Sequence, residues 1–347
     1  MASKQMVHMN QGQGETSYAH NSSFQSAEQN RMKALIEAAV VELCSNTTTL
    51  SHGKVVIADL GCSSGPNAVA LVSIALEATH SHFLQLRQPP PEVCVLLNDL
   101  PYNDFNAVVK SLVAPSLAIK GIESDTTPVA FAPSLSDRSE AQAPEDLRMK
   151  QIPAYDMDEN VRRERLPVVA GAYARQFKKD FTLFLQLRAK ELVPEGRMVV
   201  SLPGRRSDEP VTETSLIWGT AAQILGAMAS EGVIDKEKLD SLYIPVHGPS
   251  DEELREIIQE EGSFSITEMR VHDPISGMDR ALLTPNRMVN SLRAAFEPII
   301  VQHFGSPAEI MDEFVRTGEK HLSLQRSSQV KHARSPRVML VVSLTKA

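Results

Sequence analysis

The residues of this chain best placed to do chemistry are two acids that each close an apolar run. The first lies in Lys54-Val-Val-Ile-Ala-Asp59-Leu-Gly-Cys-Ser-Ser-Gly-Pro-Asn67, where a strand-like run ends in Asp59 and a turn bounded by Gly61 and Gly65 follows. A helix can begin just after it. This is how a buried parallel strand delivers a nucleotide-like cofactor to its carboxyl end, and glycines without Cβ atoms let the backbone approach a ligand closely. The turn reads Gly-x-x-x-Gly and lacks Gly-Lys-Ser/Thr, so it meets neither the dinucleotide fingerprint nor the P-loop. A carboxylate is a poor neighbour for pyrophosphate but suits an ammonium such as that of S-adenosylmethionine. The second acid, Asp99, ends Leu96-Leu-Asn-Asp99-Leu-Pro101, where it can accept both hydroxyls of a ribose. Each acid also has a plainer reading: an ordinary tight β–α turn for the first, a cap for a helix starting at Asp104 for the second.

The elements that must position these acids follow from hydropathy. Strands are predicted at 54–59, 93–98, 127–131, 197–202 and 337–344, and helices at 26–45, 67–80, 170–193, 211–231, 249–260, 286–303 and 308–322. Met32, Leu35, Ile36, Ala39 and Val40 share one face of the first helix. Residues 10–25 read as a polar loop, and the stretch from Pro133 to Glu164 is polar, charged and without period. Strand, helix, strand at this spacing makes a βαβ unit. The expected fold is α/β, with a Rossmann-like domain over 1–204 and 326–347 and a helical cap over 205–325.

Bulk properties narrow the partners. At 347 residues the chain can bury a large core. With 35 Lys and Arg against 43 Asp and Glu its net charge is −8, which argues against a nucleic-acid partner. No apolar stretch is long enough to span a membrane, and the first residues lack the apolar core of a signal peptide. Cys44, Cys62 and Cys94 fit neither a zinc site nor a disulfide framework, so the expected compartment is reducing and cytoplasmic.

Several segments together resemble the plant SABATH family of S-adenosylmethionine-dependent carboxyl methyltransferases. They are Asn10 to Gln25, Ala58 to Asn67, Leu97 to Asn106, Tyr173 to Phe181, Glu191 to Met198, Leu216-Ile-Trp218, Arg293 to Pro298 and His303-Phe-Gly305. The resemblance covers nearly the whole chain except 121–165. It implies a methyltransferase sheet with a mostly helical cap, S-adenosylmethionine as cofactor and a small-molecule carboxylic acid as acceptor. Salicylate, benzoate or anthranilate come first among the acids, then jasmonate or indole-3-acetate. It also implies a homodimer. By the same resemblance Tyr18, Asp59, Cys62, Asn67, Asp99 and Leu100 line the cofactor site, Gln25 holds the substrate carboxylate, and Ile217, Trp218, Leu292 and Ala295 form the substrate pocket. Read unaided, Trp218 would be a core residue and Gln25 a surface glutamine. Some members of the family hold Mg2+; Asn160, Asp240, Leu242 and Tyr243 fall at those positions, with Tyr243 where the pattern has Asn. No general base is expected, because a carboxylic acid with a pKa near ~4 is already ionised at neutral pH.

The chain departs from the family in one place. A Ser-Phe-Tyr-x-Arg-Leu-Phe-Pro segment, a Ser-Leu-His strand and a His-Trp pair are absent, and Phe131 to Pro144 occupies their place. One central strand segment thus reads as deleted, which would leave its neighbours' backbone groups unpaired and Gln25 alone on the carboxylate. Phe131, Ser134 or Ser136 are candidates to fill the gap in part. Two other functions stay open at this point. One is a weakly active or non-catalytic variant that acts as a binder or dimer partner; the other is a nicotinamide oxidoreductase, which the missing fingerprint disfavours.

Overall fold

The structure is a computed structural model that describes residues 14–15, 17–46, 53–63, 66–99, 103–108, 129–134, 143–212, 216–305, 307–328 and 337–347. Helix α1 (Tyr18–Asn21) leads into α2 (Ser23–Ser45). Strand β1 (Lys54–Leu60), helix α3 (Pro66–Leu86), strand β2 (Glu92–Asn98) and strand β3 (Val129–Ser134) follow. The three strands form a parallel sheet in the order β1-β2-β3, with Asp59 opposite Leu97 in the register. Val55, Val93, Val95 and Leu97 bury one face of this sheet against Val72, Leu76 and Phe83 of α3. A crossover helix packed on two parallel strands is the βαβ unit that the spacing predicts.

The chain continues through α4 (Glu145–Met149), α5 (Glu159–Glu191), β4 (Arg197–Gly204), α6 (Gly219–Ser230), α7 (Lys236–Asp240) and α8 (Asp251–Glu261). It ends with β5 (Phe264–His272), α9 (Pro285–Phe304), α10 (Pro307–Ser328) and β6 (Val338–Lys346). Strands β4, β6 and β5 make a second, antiparallel sheet with β6 in the middle. One face of β6 (Val338, Leu340, Val342, Leu344) packs on Phe181 and Leu185 of α5 and on Leu254 and Ile258 of α8. On its other face Val341 meets Met32, Leu35 and Ile36 of α2 together with Ile74 and Ala75 of α3. Helices α5, α6, α9 and α10 share a third core around Trp218, Met228, Ile299 and Phe314.

Among the described residues no hydrogen-bonded ladder joins β1 to β4. The two sheets are connected by side chains instead: Ile57 of β1 and Val199 of β4 both lean on the cluster built by α2 and α3. A buried polar contact reinforces it. Glu28 of α2 accepts from Ser201 of β4 at 3.2 Å, pairs with His272 of β5 at 2.8 Å and is bridged by Arg31 at 3.4 Å. A carboxylate this buried persists because each oxygen has a partner.

Several expectations change. Within the stretch 10–25, read as loop, residues 18–21 and 23–25 are helical, and Ser17 caps α1 by accepting from the His20 N–H at 3.3 Å. Helix α5 starts at Glu159, not near 170, with Asp158 as its N-cap. Its early turns are charged and solvent-facing, and Pro167 inside it lacks an N–H to donate, so composition alone marks that stretch as irregular. The helix predicted from 211 begins at Gly219, and α7 was not foreseen. The stretch 205–325, expected to be a helical cap, also contributes β5, a strand whose short alternation is hard to separate from its charged neighbours.

Candidate active site

The turn after β1 is held by β2. Gly61 and Cys62 donate backbone N–H bonds to the Asn98 carbonyl at 2.8 and 3.1 Å. Gly61 has φ +96° and Ser63 φ +58°, so the chain turns sharply through a region that favours glycine. The Asp99 carboxylate stabilises this strained conformation by accepting the Ser63 N–H at 2.6 Å, a charge-assisted bond. Asn103 donates its side-chain amide to the Ser63 carbonyl at 2.8 Å. Cys62 is buried beneath the turn and Asp59 sits half-buried at the end of β1.

Tyr18 arrives from α1. Burial, and then the Asp99 charge, push its phenol up to about 12, so the hydroxyl and the carboxylate belong to one locality and the phenol stays a neutral donor. Asn67, in the first turn of α3, donates to Ser22 Oγ at 3.0 Å. Its backbone carbonyl accepts from Gln29 Nε2 at 3.1 Å. Gln25 lies between Ser22 and Gln29 on α2; its Oε1 is buried without a partner among the described residues. Tyr18, Cys62, Asn67, Asp99 and Gln25 are thus brought together by α1, α2, the β1 turn and the end of β2. Leu100 and Ser136 lie outside the described residues.

The expected pocket residues share one cluster. Trp218 is 4 % exposed and its ring lies 5.4 Å from that of Tyr173; Ile217, Leu292 and Ala295 pack against the same core. Ser291, next to Leu292 on α9, donates to the Asn21 carbonyl at 3.1 Å, which ties this wall to the helix carrying Tyr18. Trp218 also borders a cavity shared with Tyr155, Arg162, Arg165 and Val169, of about 20 Å³, room for little more than a water molecule.

The residues expected to hold magnesium fit it poorly. Lys236 Nζ sits 2.7 Å from Asp240 Oδ2 and already supplies a positive charge there. Asp240 Oδ1 is buried with no partner among the described residues. The Tyr243 hydroxyl, in place of an amide, donates to the Ile152 carbonyl at 3.0 Å. Asn160 sits in the first turn of α5, its N–H on Asp158. One lysine-paired carboxylate falls short of the oxygen shell that Mg2+ demands, and no group of three His, Cys, Asp or Glu gathers among the described residues.

Comparison with known proteins decides the family. The SAM dependent carboxyl methyltransferase family matches residues 4–134 and 129–347. The chain belongs to this family. It is 35 % identical to the probable jasmonic acid carboxyl methyltransferase 2 of Theobroma cacao over 99 % of this chain and 98 % of that one. It is also 35 % identical to the salicylate carboxymethyltransferase of Clarkia breweri, over 94 % and 95 %, and 32 % identical to the anthranilate O-methyltransferase 1 of Zea mays, over 98 % and 97 %. Among solved structures it is similar to a loganic acid methyltransferase with SAH, with a TM-score of 0.78, 26 % identity and 98 % of both chains covered. This carboxyl methyltransferase therefore takes its methyl group from S-adenosylmethionine, and its fold is that of the methyltransferase relative.

Sequence reasoning missed Gln29, Ser22 and Asn103. For Gln29 a signal existed: it is one turn beyond Gln25 and so on the same helix face.

Proposed function

We propose that this protein methylates the carboxylate of a small plant acid, with salicylate, benzoate and anthranilate the first acids to try, then jasmonate and indole-3-acetate. The observation that carries the reading is the hydrogen-bonded unit that joins Asn67 of the cofactor turn to Ser22 and Gln29 on either side of Gln25. It sets the methyl donor's turn beside a side-chain amide. With Oε1 enclosed, the Nε2 end of Gln25 is the one available to donate to a carboxylate oxygen. Ile217, Trp218, Leu292 and Ala295 then provide the apolar wall.

The chemistry needs alignment more than acid–base catalysis. The acceptor is already an anion at neutral pH. Its oxygen attacks the sulfonium methyl in line, an O–C bond forms as the C–S bond breaks, and a neutral ester and neutral S-adenosylhomocysteine result. The protein's work is to hold oxygen, carbon and sulfur near collinear and to exclude water. Asp59 and Asp99 serve the cofactor's polar groups, and Tyr18 contributes a neutral phenol.

On this reading the chain also lacks the strand that would lie between β1 and β4, and it acts as a homodimer. Three observations support the missing strand: the unjoined sheets, the break of the family match at 129–134, and the cacao alignment of 378 positions, at least 31 more than this chain has residues. The test is transfer of labelled methyl from S-adenosylmethionine to the acid panel, with the oligomeric state measured by light scattering. A labelled ester of at least one acid is expected. Folded protein that binds S-adenosylhomocysteine yet esterifies none of the panel would overturn the acid assignment.

A further inference from the structure

We infer that Gln29 is a positioning residue for methyl transfer, which holds the first turn of α3 against α2 so that the donor's turn and the acceptor's amide move as one body. Gln29 Nε2 donates to the Asn67 carbonyl at 3.1 Å. From the other side, Asn67 Nδ2 donates to Ser22 Oγ at 3.0 Å, and Ser22 is itself buried. Asn67 is therefore gripped by two residues of the α2 region, one three positions before Gln25 and one four positions after it. In a helix those spacings place all three on one face.

A second observation separates this role from ordinary packing. Gln29 Oε1 is buried and has no hydrogen-bond partner among the described residues. An enclosed acceptor without a donor opposes folding, so a leucine of similar size would serve the helix interface better. The amide sits where its enclosed oxygen opposes folding, and the one bond it makes among the described residues is to Asn67. Its value lies in geometry: an in-line displacement tolerates little displacement of the reacting atoms, and misplacement of about 1 Å can lower turnover by about a hundredfold. This inference rests on the proposed cofactor and acceptor sites.

The Gln29→Leu variant tests it. Turnover is expected to fall about tenfold with KM for both substrates within about twofold, the pattern of an interaction used in the transition state. The melting temperature is expected to hold or rise, because the orphaned acceptor is gone. With S-adenosylhomocysteine bound, backbone amides in the first two turns of α3 are expected to exchange hydrogen faster than in the parent. Unchanged turnover, unchanged exchange, or activity lost in step with melting temperature would each overturn the assignment. If no acid in the panel is esterified, the acid assignment fails separately and the exchange measurement alone decides Gln29.

Discussion

The Ser63 conformation is held by the Asp99 carboxylate on its N–H and by the Asn103 amide on its carbonyl. With φ at +58° on a residue bearing a Cβ, the turn needs a compensating contact, and the Asp99 bond at 2.6 Å provides it. Hydrogen bonds to charged groups contribute about 1.5–3 kcal/mol. Asp99→Ala is therefore expected to weaken S-adenosylhomocysteine binding by tenfold or more in isothermal titration, before any loss of ribose contacts is counted. Tyr18 gives a matching pH signature. Its phenol is raised to about 12, by burial first and by Asp99 second, while in the unfolded chain it titrates near ~10. The neutral phenol thus contributes stability that is fully present below pH ~10 and is lost as pH rises from there through 12. Asp99→Asn is expected to lower the midpoint of phenolate absorbance for Tyr18 without restoring the ordinary value, since burial remains. An unmoved midpoint would show that the two groups do not sense each other. None of this could be read from composition: the Gly-x-x-x-Gly pattern shows where the turn is, but not that Ser63 takes the strained position or that Asp99 supports it.

Among the elements, α8 is the one whose sequence and structure agree most fully. Ser250 accepts the Glu253 N–H at 3.0 Å and Glu253 accepts the Ser250 N–H at 2.8 Å, a reciprocal capping box, while Gly262 closes the helix at φ +82°. Burial pushes the Glu253 carboxyl up, but the partners outweigh it and hold it down at about 2. Arg205 at 2.5 Å and the Ser250 N–H at 2.8 Å are the close partners, and His247 Nε2 lies 3.9 Å away, beyond hydrogen-bond reach. The carboxylate therefore stabilises the fold above the ordinary carboxylate range, and that contribution is lost as pH falls toward 2. Ser250→Ala is expected to cost about 1 kcal/mol in denaturant melts at neutral pH; a change of a few tenths would assign the helix start to tertiary packing instead. The same element logic explains α5 and β5. A helix whose first turns are charged and exposed, with a proline inside, carries little periodic signal, and a half-exposed edge strand carries less.

At the scale of the molecule the question is how two three-stranded sheets stay together when no ladder joins them among the described residues. The answer lies in α2, which packs Leu35 and Ile36 against both α3 and Val341 while Glu28 reaches Ser201 and His272. Leu35 is 2 % exposed at the centre of that joint. Leu35→Ala is expected to cost about 2–5 kcal/mol as a cavity. Because this joint touches both sheets, the variant is also expected to split a single denaturation transition into two, seen as probes on the two halves losing coincidence. One coincident transition at lower denaturant would mean that other contacts couple the halves.

The sequence by itself determined a nucleotide-type α/β enzyme and the order of most strands and helices, because glycine turns, strand-end acids and apolar periods are local properties that survive without neighbours; the family came from the resemblance of its longer segments. The α2 face of Met32, Leu35, Ile36 and Ala39 was legible in this way. Only the tertiary structure decided which residues share the site. Asn67 meets Ser22 and Gln29, Tyr18 feels Asp99, and Tyr243 reaches the Ile152 carbonyl, and each of these contacts brings together residues far apart in the chain. Such contacts arise from the packing of helices on sheets, and no local pattern in the residues encodes them.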